Sequence, residues 1–88
     1  MNIYRVVRKD YVDYDQYNGF VCVAESEEQA IHMNPNCDIF CYGISLYYDF
    51  EKPDSMWVSN VSDLEVECIG TTSLFDKPQI ILTDFRAG

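Results

Sequence analysis

Long apolar runs are missing from this chain of 88 residues. No stretch approaches the ~20 apolar residues that a membrane-spanning helix needs, so no membrane partner is expected. The opening MNIYRVVRKD has no apolar core followed by a small-residue cleavage site, and a cytoplasmic location is the expectation. Cations are scarce: six Lys and Arg stand against fifteen Asp and Glu, for a net charge of -9. Direct nucleic-acid binding rests on Lys and Arg neutralising phosphates, so this balance argues against it.

Catalytic equipment is thin as well. Histidine occurs once, and no Ser or Cys stands at a recognisable spacing from His32 to make a nucleophile–base pair. Neither GxGxxG nor GxxxxGK[ST] is present, which removes the common phosphate cradles and leaves no cofactor indicated. Carboxylates abound, yet nothing marks one pair for acid–base work. A non-enzymatic role follows as the expectation. The four cysteines, Cys22, Cys37, Cys41 and Cys68, come without a secretion signal, so free thiols are expected, with Cys22 and Cys68 as small core residues.

What is present is a globular composition, 48% apolar with seven Tyr and five Phe. The length fits one domain, residues 1–88. IYRVVR at 3–8 and GFVCVA at 19–24 read as strands, the second opened by Asn18-Gly19, a pair that favours tight turns. Ser26-Glu27-Glu28-Gln29 has the form of a capping box, and Asn34-Pro35 ends the short helix it starts. ISLYYDFE at 44–51 alternates with period two, with Ile44, Leu46, Tyr48 and Phe50 on one side, and predicts a half-buried strand. LEVECI at 64–69 alternates more cleanly, with Leu64, Val66 and Cys68 inward, and QIILTDF at 79–85 reads as a central or doubly covered strand. The order β-β-α-β-β-β predicts an α+β fold: a mostly antiparallel sheet of four to five strands with one short helix on one face.

The densest candidate site is DYVDYDQYNG at 10–19. Counted from Asp13, it fails as a helix-loop-helix calcium loop, because Tyr17 and Asn18 fall at positions five and six and Ala24 at position twelve. As a recognition loop it offers Tyr11, Asp13, Tyr14, Asp15 and Tyr17, since tyrosine gives large contact area at low entropic cost. The alternative is that one or two of these rings fold back over the sheet edge. Tyr47, Asp49 and Glu51 form a second candidate set. Glu65 and Glu67 would project about 6.6–6.8 Å apart, and a neighbouring Asp49/Glu51 row would extend them into an array resembling duplex phosphates. His32, Cys37 and Cys41, spaced H-x4-C-x3-C, are a weak zinc candidate, since His32 near a helix C-terminus is explained by the dipole alone. The lone Trp57, after a Pro-Asp turn, is expected to anchor the core.

The run YDQYNGFVCVAESEEQA, the proline soon after the helix, the lone Trp57, LEVECIG and the ending IILTDFRAG together resemble a group of small acidic proteins encoded by bacteriophages and bacteria. The resemblance covers the N-terminal and C-terminal thirds; residues 36–55 match nothing in it. It lends no catalytic residues. What it implies is a small phage-type protein that binds and disables a host protein. Combined with the charge, it predicts attachment to a basic surface of a host protein through the acidic, tyrosine-bearing residues, with inhibition of a defence or nucleic-acid-processing system as the outcome. Two alternatives stand beside it: an assembly protein forming homodimers or larger homo-oligomers, and a metal- or small-ligand-binding domain.

Overall fold

The computed structural model describes residues 1–10, 14–37 and 45–86. Strands β1 (Asn2–Arg8), β2 (Gln16–Ala24), β3 (Leu64–Thr71) and β4 (Gln79–Arg86) form one antiparallel sheet in the order β3-β1-β2-β4. Helix α1 (Glu27–Ile31) follows β2, and a 3-10 turn at Val61–Asp63 leads into β3. The expected α+β class is the one observed.

Pairing register assigns the two faces of the sheet, because residues directly opposite in an antiparallel ladder share a face. Tyr4 stands opposite Cys22 and Cys68, and Val6 opposite Phe20 and Val66. Cys22 in turn faces Ile80. Tyr4, Val6, Phe20, Cys22, Leu64 and Ile80 are all buried, so this is the core side. Ser26 starts α1 as its sequence implies: its Oγ accepts the Gln29 amide at 3.1 Å, while Gln29 Oε1 accepts the Glu25 amide at 2.7 Å. The helix is five residues long, too short to cover four strands by itself. Much of the cover comes instead from residues 45–58, a strap that contributes Tyr48, Trp57 and Val58 to the buried cluster, with Leu46 and Phe50 packed against it.

The strap replaces an expected strand. Tyr47 makes a single antiparallel bridge with Met33, and residues 45–51 join no sheet. Burial alternates all the same: Leu46, Tyr48 and Phe50 turn inward while Ser45, Tyr47, Asp49 and Glu51 are exposed. Period two reports alternate burial, and it says nothing of whether a partner strand is available. Ile44 lies outside the described residues.

Three further expectations change. β4 is an edge strand with Leu82 64% exposed, where its apolar run suggested a central one. Asn18-Gly19 lies within β2 at an irregularity of the β2–β4 ladder instead of opening a turn. Gly19 is required there by contact, since a Cβ would stand 2.5 Å from the Val6 carbonyl oxygen. Cys68 faces the core side by register but is exposed, unlike Leu64 on the same edge strand.

The thiols also divide. Cys37 is disulfide-bonded, against the expectation of free cysteines, while Cys22 and Cys68 are free. Burial pushes the Cys22 thiol from its ordinary 9.0 up to about 12. The native state therefore keeps a proton that the unfolded chain releases above pH 9.0, so this stabilisation is complete below pH 9.0 and is lost as pH rises towards about 12. Desolvation raises the buried Tyr48 phenol in the same direction. Two results are expected. Alkylation mapped by mass spectrometry at pH 8 should modify Cys68 within minutes and Cys22 only on unfolding. Above pH 9, urea stability should fall by up to ~1.4 kcal/mol per pH unit, and Cys22→Ala should flatten that slope; an unchanged slope would refute the assignment.

Candidate partner-binding surface

The loop between β1 and β2 is closed by Arg8, whose side chain is only 4% exposed. Its Nε donates to Asp10 Oδ1 at 2.6 Å and its NH2 to Asp10 Oδ2 at 3.0 Å. A third nitrogen, NH1, donates to the Tyr17 carbonyl at 3.3 Å. Hydrogen bonding to Arg8 holds the Asp10 carboxyl below its ordinary range, so this acid serves the loop's base. Asp15 takes a positive φ of 60°, a left-handed conformation that Asp tolerates better than most side chains. Its amide donates to the Arg86 carbonyl at 2.6 Å, tying the loop to the end of β4.

The tyrosines of this loop separate into two kinds. Tyr14 is 62% exposed, with the Arg86 guanidinium 4.9 Å from its ring centroid. Tyr17 folds back: it is half-buried, its ring centroid 4.9 Å from that of Phe85, and it packs against the core. Tyr11 and Asp13 lie outside the described residues. Of the first candidate set, Tyr14 and Asp15 therefore stand on the surface.

The second set is organised by Gln29. While its oxygen caps α1, its Nε2 donates to the Tyr47 hydroxyl at 2.9 Å. The bond holds Tyr47, 45% exposed, beside the acidic first turn formed by Glu27 and Glu28. Those helix acids carry a sequence signal that is fully explained by the helix dipole, so nothing in the sequence ties them to Tyr47. Asp49 and Glu51 are exposed, and the Asp49 carboxylate accepts the Glu51 amide at 3.0 Å, shaping a turn. Because the strap is not a strand of the sheet, Asp49 and Glu51 form no row beside Glu65 and Glu67. The strand next to β3 is β1, which sets Arg5 opposite Glu67.

The two sets do not meet at one point. Asp15 precedes β2 and Gln29 follows it, and nine residues at ~3.3 Å each put about 26 Å between the ends of that strand. The strap bridges the gap. It starts at the Tyr47–Gln29 bond, is pinned by the Tyr48 amide donating to the His32 carbonyl at 2.8 Å, and ends where the Tyr17 amide donates to the Met56 carbonyl at 2.9 Å. Near that end the Ser55 carbonyl accepts from Gln16 Nε2 at 2.8 Å. Along it Asp49, Glu51 and Asp54 are exposed, with Lys52 as its cation. Among the described residues every carboxylate is exposed except the half-buried Asp63.

The zinc candidate is not assembled. Cys37 is disulfide-bonded and Cys41 lies outside the described residues. His32 Nδ1 sits 2.7 Å from the Glu28 carbonyl oxygen, and its ring meets Phe50 edge-on at 6.0 Å. Among the described residues, no group of three or more His, Cys, Asp or Glu could hold a metal ion, and no helix is long and apolar enough to cross a membrane. No protein-family model matches the chain, no curated protein matches it, and no solved structure matches it.

Proposed function

We propose that this protein is a non-catalytic binding domain that grips a basic surface of a partner protein through its strap side. The observation that carries the reading is the strap itself, an acidic path that starts at the exposed Tyr47 and ends beside Gln16 and Tyr17, just past the exposed Tyr14 in the chain. Tyrosines flanked by carboxylates supply what a basic surface selects: rings that set residence time and charges that speed encounter. In the phage setting that the sequence resemblance implies, the partner is a cytoplasmic host protein of a defence or nucleic-acid-processing system, and binding blocks its basic groove. The edge positions of β3 and β4 favour a second reading, assembly of copies through strand pairing. Light scattering separates the two, since a monomer at working concentration removes that alternative.

The test is capture from host lysate by immobilised protein, with three variants chosen to spare the fold. Tyr47→Ala removes an exposed ring, Glu51→Lys reverses an exposed charge, and Asp15→Asn neutralises a charge while tolerating positive φ. Capture of a basic protein should fall at least ~10-fold in the combined variant, a change of about 1.4 kcal/mol. It should also weaken steeply with added salt, as exposed charges are screened. Unchanged capture by a variant that melts like the parent sinks the reading.

A further inference from the structure

We propose that the outer face of the sheet, opposite the buried cluster, is a trough for a cationic amphipathic helix of a partner protein. The inference stands apart from the strap-side reading, because it concerns the other face of the molecule. Register lays this face out in rows. One row runs Glu65, Val7, Gly19, Asp84 from β3 to β4, and the next runs Glu67, Arg5, Val21, Leu82.

Both rows begin with a carboxylate on the β3 side; over β1 and β2 the first carries Val7 and Gly19, the second Arg5 and Val21. Val7 and Val21 are half-buried and Leu82 is 64% exposed, so an apolar floor is left open to solvent. Val7, Gly19 and Asp84 line a depression with Arg5, Val21 and Leu82. Glu65 and Glu67 line an adjoining depression with Arg5 and Val7, and they bound this face on the β3 side. Asp84, held by the Asn18 side chain at 2.9 Å, bounds it on the β4 side. Arg5, a cation on this face, lies 3.4 Å from Glu67 with both side chains more than half exposed.

Width and charge select the occupant. Three strand spacings of ~4.8 Å place the rims about 14 Å apart, and an α-helix with side chains measures ~10–12 Å across. A helix lying in the groove would set its apolar stripe on Val7, Val21 and Leu82, with Lys or Arg flanking that stripe meeting Glu65, Glu67 and Asp84. A second copy of this chain is a poorer occupant. Its own outer face carries carboxylates at both rims, and each copy brings a net charge of -9.

The probe is a synthetic leucine–lysine peptide of ~14 residues, about 21 Å of helix and close to the length of β1. Its leucines follow helical spacing on one face, and a control of equal composition has them scattered around the helix. Amide chemical-shift mapping should show perturbations centred on Val7, Gly19, Val21 and Leu82. Leu82→Lys and Glu65→Lys, both at exposed positions, should each weaken binding by ~10-fold, while Glu51→Lys on the strap should leave it unchanged. Three results would overturn the proposal. The scattered peptide could bind equally well, which means charge alone is read. Shifts could fall on residues 45–58 instead. Light scattering could show a dimer that Leu82→Lys dissolves, which would give the face to a second copy. Loss of lysate capture in the strap variants bears on none of these, so the two surfaces fail separately.

Discussion

Trp57→Ala is expected to remove about 3–5 kcal/mol of stability, the usual range for emptying a buried aromatic site. Trp57 is 2% exposed and its ring lies 5.6 Å from Phe20, within the cluster that also holds Tyr4, Val6 and Ile80. Trp57 belongs to the strap, so its loss also frees the segment that covers the core side. Small domains hold ~5–15 kcal/mol in total, and one of this size sits toward the lower end. With a urea slope of ~1–3 kcal/mol/M, the midpoint should fall by at least about 1 M, and part of the population should be unfolded without denaturant. Trp57→Phe should cost far less. The Trp57 Nε1 is buried with no acceptor among the described residues, so phenylalanine removes an unsatisfied donor while keeping a ring against Phe20. A midpoint within 0.3 M of the parent for the alanine variant, on a scale where ~1 M is expected, would show that the strap is not anchored as described.

Gly19→Ala is the second large effect, and it has an internal control. At Gly19 an added Cβ would stand 2.5 Å from the Val6 carbonyl oxygen and 2.9 Å from Val7 Cγ1. The oxygen belongs to the backbone of β1, so relief requires the β1–β2 ladder to move, at a cost of about 1–3 kcal/mol or more. A domain of this size loses ~4–8 °C of Tm per kcal/mol, so a fall of order 10 °C is expected by calorimetry. At Gly70 the nearest atom to a new Cβ is Ile3 Cδ1 at 3.8 Å, an ordinary contact. Gly70→Ala should therefore be neutral or stabilising by ~0.5–1 kcal/mol, because glycine in a strand carries an entropic penalty. Equal behaviour of the two alanines would remove the close approach at Gly19 as the cause.

The contrast between these sites shows where sequence reasoning reaches. Trp57 as a core anchor was legible, since a single large apolar side chain in a small acidic domain has few other places to go. So was α1, because the Ser26–Gln29 box acts over four residues and needs no distant partner. The exposed pair Tyr14 and Asp15 was legible too, whereas Tyr17, identical in type and three residues on, packs against Phe85 from the far end of the chain. The grouping of Tyr47 with Glu27 and Glu28 was invisible, because Gln29 serves as both helix cap and tether only once residue 47 is brought beside it.

Local order was written in the chain itself: the capping box, the inward and outward alternation at 45–51 and 64–67, the excess of carboxylates, the burial of the tryptophan. Those signals act between near neighbours or between a side chain and water, so they survive without knowledge of the fold. Neighbourhood across the sheet was decided by tertiary structure alone. It made QIILTDF an edge, turned an apparent strand into a strap, left Cys68 exposed, gave Cys37 a disulfide and set Gly19 against Val6. Each of these depends on which distant segment arrives alongside, and periodicity along one strand holds no information about what lies beside it.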